Sequence, residues 1–315
     1  MRLLQKIKRS CLKRLGEFSA FIDGDGSVAE GYLTMLEKRR PGSRAGLEVL
    51  VGRALELKVS SHFWGMDIMQ ALLNLKKRVF ICGCGHSGTS LLMAIMLKHS
   101  DIYGPLFETA CFVGSKKEYG RYLLYEQEAV QAGKTILLEK TPKHIHALGY
   151  ILGNIPNAHI LICIRNPFDV VASLKKRYGD LQKSIDRYYA DNVAWLPFKS
   201  SRQIHLVKYE EFVADTINQL HKLCAFIGVD YVDSMLEYHL EAKQYFRDVE
   251  AKKTAGRAGE EHAQLRNWQL RQPVQDMSGQ WRERISHDEY RVIREKLGEL
   301  ALALGYTFNE PYMLP

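Results

Sequence analysis

The chain has 315 residues, 46% hydrophobic and 25% charged, which excludes collagen-like, coiled-coil and disordered compositions. A chain of this length buries roughly 75% of its unfolded surface, so it needs neither disulfides nor a structural metal to fold. The net charge of +8 points to an anionic partner. Six of the positive charges (Arg2, Lys6, Lys8, Arg9, Lys13 and Arg14) precede the first acid, Glu17, and without them 38 basic residues face 36 acidic ones. That balance is too even for a surface built to bind nucleic acid.

Residues 1–75 read as a helical N-terminal extension. Leu4, Ile7, Cys11, Leu15 and Phe18 fall at helical spacing opposite a Lys/Arg face. An amphipathic helix over residues 1–20 is therefore expected, either packed on the domain or lying on a membrane surface. The segment lacks the continuous apolar stretch of a signal peptide. No run of ~18 apolar residues occurs in the chain, and no Asn-x-Ser/Thr sequon is present. The expected compartment is the cytoplasm, with membrane association through the N-terminus; the Golgi lumen is disfavoured. Cys82, Cys84 and Cys163 sit in or beside apolar runs, as small buried hydrophobes do.

Residues 76–315 form the expected main domain. Arg78–Cys82 is a short apolar run, followed by the glycine loop Gly83–Gly88 and a buried helix over 89–97. Further apolar runs at 135–139, 158–164 and 203–207 end in Lys140-Thr141-Pro142, Arg165-Asn166-Pro167 and Lys208-Tyr209-Glu210. Helical stretches separate them, and a terminal helix is read over 282–304. Apolar strands alternating with helices predict a three-layer α/β fold, a central parallel sheet flanked by helices. Its ligand is expected beyond the carboxyl ends of the strands.

Gly83-x-x-x-x-Gly88-Thr89-Ser90 has the spacing of a phosphate cradle, in which backbone N–H groups turn inward at a helix N-terminus. A nucleoside triphosphatase would need lysine where Thr89 stands, and a strand-end carboxylate to help hold magnesium. The best such strand ends in Arg165. A kinase or triphosphatase is therefore the lesser reading, and a noncatalytic nucleotide-binding module a third. Arg165 closes a strand, Pro167 suits a first helical turn, and Ser173 and Arg177 follow on one helix face. These residues make a second anion site, unless they form a surface ion-pair group with Asp169 and Asp180. Two phosphate sites on one sheet suggest a nucleotide phosphorylated at two places.

In these motifs the chain resembles the sulfotransferases that use 3′-phosphoadenosine 5′-phosphosulfate (PAPS). It looks most like the tyrosylprotein and heparan-sulfate branches and their bacterial relatives. Gly83–Leu92 resembles the 5′-phosphosulfate loop, Arg165–Ser173 the 3′-phosphate motif, and Val207–Phe212 the segment whose tyrosine, here Tyr209, lies near the adenine. The resemblance spans residues 78–285 and implies a P-loop-like fold and direct sulfuryl transfer without a metal. The product nucleotide would be adenosine 3′,5′-bisphosphate.

By the same resemblance Gly85, Ser87, Gly88, Thr89 and Ser90 would hold the 5′-phosphosulfate. Arg165, Ser173 and Arg177 would hold the 3′-phosphate. His86 stands where many relatives have Arg or Lys. A histidine there is charged part of the time near neutral pH and is a candidate donor to the sulfonate. Lys140 resembles a family lysine and is the first candidate to stabilise the leaving group. Glu108 lies in a segment like the one that carries the family's glutamate base, with His144 as the alternative. His144-x-His146 is not a metal pair, because positions i and i+2 do not share a helical face. Arg271, in a loop expected to close over the nucleotide, is read as reaching the 3′-phosphate or the adenine. The basic stretch 252–259 reads as a loop at the acceptor entrance. The acceptor would be a small molecule, a glycan or a peptide.

Overall fold

The computed structural model describes residues 75–115, 117–240, 249–254, 256 and 259–307. The amphipathic segment at 1–20 and nearly all of the N-terminal extension lie outside the described residues, as do 255, 257 and 258 of the basic stretch.

Five strands form one sheet: β1 (Lys77–Gly83), β2 (Ile102–Tyr103), β3 (Ile136–Lys140), β4 (Ala158–Ile164) and β5 (Ile204–Lys208). The order is β2-β3-β1-β4-β5, and every pair is parallel. Four strands match the apolar runs within a residue or two. β2 was not expected from the sequence, because two residues are too short to show a pattern. It joins the sheet by pairing Ile102 with Ile136 and Tyr103 with Leu137.

Successive side chains on a strand point to opposite faces, and here both faces are buried. Phe80 and Cys82 of β1 join one core, with Ile160 and Ile162 of β4. Val79 and Ile81 join the other, with Leu161 and Cys163. Helix α1 (Thr89–Met96) packs on the second face. The helices α4 (Pro167–Tyr178) and α5 (Leu181–Val193) pack on the first. Two-sided burial is why these strands read as continuous hydrophobic runs rather than alternating ones. The five described cysteines are buried and unpaired.

The chain moves to one side of β1 for β2 and β3, and to the other for β4 and β5. The switch point lies between β1 and β4, where a crevice opens beyond the strand ends. The glycine loop leaves β1 there and Arg165 leaves β4 beside it. Gly83 makes this proximity possible: its φ is +140°, and a Cβ on it would stand 2.3 Å from the Cys163 carbonyl oxygen.

The remaining described α-helices are α2 (Tyr119–Gln131), α3 (Leu148–Asn154), α6 (Tyr209–Ala214), α7 (Thr216–Ile227), α8 (Glu260–Gln269) and α9 (His287–Ala303). The expected terminal helix at 282–304 is thus a 3₁₀ turn at Gln280–Glu283 followed by α9. Ser286 and Glu289 make a capping box that fixes where α9 begins. Among the described residues no helix is long and apolar enough to cross a membrane.

Candidate active site

The glycine loop turns at Gly88, whose φ of 90° is left-handed. A Cβ there would come within 2.9 Å of the Tyr209 ring. A Cβ on Gly85 would meet no protein atom within 4 Å, since it faces open space in the cleft. No side chain caps α1, and its first turn holds no acid. Its orphan N–H groups and positive dipole end are therefore left for an anion. Thr89 is nearly buried at this terminus, Ser90 lines the cleft, and the Ser87 hydroxyl is buried without a hydrogen-bond partner.

The second motif meets the loop directly. Asn166 caps α4 by accepting from the Phe168 N–H, and Pro167 occupies its first turn. The Arg165 guanidinium donates to the His86 carbonyl at 3.4 Å and to the Met277 carbonyl. It stacks 4.2 Å from the Tyr209 ring centroid, and its Nε is buried without a partner. Ser173 Oγ lies 2.8 Å from His86 Nδ1. Arg177, one turn further along α4, is exposed and lines the cleft. The ion-pair alternative is met only in part, by Arg165 and Asp169. Asp180 caps α5 by accepting from the Lys183 N–H. Asp169 lies 3.9 Å from Arg165 but spends both oxygens on the backbone N–H groups of Gly279 and Trp281, at 2.8 and 3.1 Å.

Those two bonds hold the C-terminal segment over the cleft. Tyr209 adds two more, donating to the Gln275 carbonyl and accepting from the Met277 N–H. The Phe168, Trp281 and Tyr290 rings stack beneath, with centroids 4.8 to 5.6 Å apart. Tyr209 is therefore a wall of the cleft as well as a latch for the segment that closes it. The segment places Arg266 in the cleft, whereas Arg271, the expected contact, does not line it. Arg266 is on α8 and faces the loop; Arg271 lies past the end of that helix.

The electrostatics are lopsided. Arg165, Arg177 and Arg266 converge on one cleft of about 1030 Å³, solvent mouth included, whose one carboxylate among the described residues is Glu108. Burial, followed by repulsion from Arg177 and Arg165, brings Arg266 down to about 10. Burial, Arg266 and Arg177 bring His262 down to about 4. Burial and the same cations hold the His86 imidazole well below its ordinary value. His86 is thus neutral, where the sequence suggested partial charge. The surrounding arginines could not be read from the loop alone.

Glu108 stands at the cleft with 45% of its side chain exposed, and Lys140 Nζ lies 2.9 Å from its Oε1. Lys140 is fully buried and does not line the cleft, so it sits behind Glu108. Glu139, its neighbour on β3, is fully buried and accepts from Thr109 and Thr141. His144 is buried too, against Phe80 and Phe112, with Nδ1 2.8 Å from Glu139. Its Nε2 accepts from the Phe112 N–H. His144 therefore belongs to the core and cannot reach an acceptor. In the basic stretch at 252–259, Lys253 lies over the Trp268 ring and Thr254 Oγ1 donates to the Glu261 carbonyl, both on α8.

Comparison with known proteins agrees with this geometry. Residues 107–233 match the sequence model described as "Sulfotransferase family". Nodulation protein NoeE of Sinorhizobium fredii (strain NBRC 101917 / NGR234) is 24% identical, over 48% of this chain and 50% of its own. The chain thus spans about half the length of that curated relative. Two solved structures share the fold. The sulfotransferase domain of the Synechococcus PCC 7002 olefin synthase has a TM-score of 0.54 at 18% identity, covering 75% of this chain and 96% of its own. The sulfotransferase domain from the curacin biosynthetic pathway has a TM-score of 0.50 at 16% identity, covering 71% and 98%.

Proposed function

Because residues 107–233 match the sulfotransferase family model, we propose that this chain is a sulfotransferase, that its sulfuryl donor is PAPS, that the acceptor is a hydroxyl or amine, and that Glu108 is the general base. The observation that carries this reading is the cluster of Arg165, Arg177 and Arg266 at an uncapped helix N-terminus. These like charges raise one another's energy and are best satisfied by a polyanion with phosphate at both ends.

In this reading Arg165, Ser173 and Arg177 hold the 3′-phosphate. Gly85 to Ser90 hold the 5′-phosphosulfate with backbone N–H groups and hydroxyls. The acceptor oxygen or nitrogen attacks sulfur and passes its proton to Glu108. The bond from sulfur to the 5′-phosphate oxygen breaks, and the electron pair stays on the leaving phosphate. Lys140 orients Glu108 through Oε1 and leaves Oε2 for the proton. Positive groups preset where charge develops lower the barrier without reorganising during the step.

Isothermal titration with adenosine 3′,5′-bisphosphate and with ATP–magnesium tests the donor. Bisphosphate binding is expected; tight ATP binding without it would overturn the reading. Glu108→Gln should keep bisphosphate affinity and lose about 10²- to 10⁴-fold in transfer rate, the usual contribution of a positioned base. The rate is read with PAPS and a panel of phenol, sugar and tyrosine-peptide acceptors. Unchanged turnover in that variant would move the base elsewhere.

A further inference from the structure

The glycine loop brings N–H groups and hydroxyls to the cleft but no cation. Its single titratable side chain that faces the cleft, His86, is neutral. His86 adopts φ 72°, a left-handed conformation that histidine enters more readily than most residues. Arg266 Nη2 lies 2.7 Å from His86 Nδ1. A guanidinium nitrogen can only donate, so Nδ1 is the acceptor and the ring proton must be on Nε2. That Nε2 is buried and has no partner.

Arg266 reaches this point from α8, 180 residues further along the chain. Its other terminal nitrogen donates to the Gln269 side-chain oxygen at 3.0 Å. The charges that act on it are Arg177, Arg165 and, in the opposite sense, Glu108. It therefore shares the cleft with both the second-motif cations and the carboxylate.

We propose that Arg266 supplies, from α8, the positive charge that the glycine loop lacks, and that through His86 it points an Nε2–H donor at the 5′ end of the bound nucleotide. The inference rests on the sulfotransfer reading. In that reaction the acceptor-to-sulfur bond forms while the bond from sulfur to phosphate oxygen breaks. Negative charge grows on the leaving phosphate, where Arg266 and the His86 Nε2–H together stabilise it. The acceptor proton goes to Glu108.

The test uses the full chain and four proteins: wild type, Arg266→Ala, Arg266→Lys, and the double variant His86→Arg with Arg266→Ala. Each is titrated with adenosine 3′,5′-bisphosphate, and near-UV circular dichroism follows folding. Arg266→Ala should bind at least tenfold more weakly, as expected for a lost charge-assisted contact to phosphate. Arg266→Lys should recover part of that loss. The double variant should also recover affinity, because it returns a cation to the same place from the loop itself. A merely structural Arg266 would not be rescued by a charge at position 86. Should Arg266→Ala lose its near-UV signal, the lysine and double variants carry the test. Bisphosphate binding that is unchanged in Arg266→Ala, or a folded double variant no better than the single one, would overturn this inference alone. A wild-type chain that binds no bisphosphate would overturn the sulfotransfer reading and this inference with it.

Discussion

The glycine loop and the C-terminal segment at 259–281 face the same cleft but are held there by different forces. The loop is fixed by covalent continuity with the central strand and by close packing, since Gly83 lies against Cys163 and Gly88 against Tyr209. The C-terminal segment is anchored by Leu270 and Trp281, which are buried in the two cores, and between them by hydrogen bonds of Asp169, Tyr209 and Arg165 to its backbone. One region continues the central strand and the other is latched across the cleft between two anchors. A fault in the loop should therefore act on folding, whereas a fault in the latch should act first on binding.

The largest expected effect is in the loop. Gly83→Ala would force a Cβ to 2.3 Å from a backbone oxygen at φ +140°. Neither the strand nor its neighbour can move aside cheaply, so a loss of about 3 kcal/mol or more is expected. Urea unfolding followed by circular dichroism measures it; a loss under about 1 kcal/mol would show that the loop is less rigid than its packing implies.

The latch should yield a smaller effect. Asp169→Asn retains one acceptor oxygen where two N–H groups need one each, and so leaves a buried donor unsatisfied. A cost of about 1–3 kcal/mol is expected, together with weaker bisphosphate binding. Amide exchange should quicken at Gly279 and Trp281 before the sheet is affected. Exchange that quickens equally in β1 and in the segment would erase the distinction between the two regions.

The smallest effect concerns pH. Burial and its cationic neighbours hold His262 on α8 at about 4, below its unfolded value near 6.5. The folded chain thus binds fewer protons than the unfolded one between those values. This site's contribution to stability is present above about pH 6.5 and is lost as pH falls towards 4. A bound dianion opposes the repulsion and raises His262. Bisphosphate should therefore bind with proton uptake, and more tightly as pH falls through the same window. Titration in two buffers of different ionisation enthalpy detects the uptake; binding without protons would mean that His262 does not feel the anion.

Most of the sheet was legible in the sequence, because a parallel strand buried on both faces is apolar over most of its length. Arg78–Cys82 and Ala158–Ile164 carry that pattern without help from tertiary structure, whereas the two residues of β2 cannot. The phosphate motifs were legible for a related reason. A glycine at positive φ and a proline at a helix start are local requirements, and Gly83, Gly88 and Pro167 meet them within a few residues of sequence. Only the tertiary structure decided how the site is charged. It chose Arg266 over Arg271, made His86 neutral, and placed Lys140 behind Glu108 with His144 in the core. These outcomes depend on burial and on groups brought together from positions up to 180 residues apart, and electrostatic energy follows distance in space rather than order along the chain.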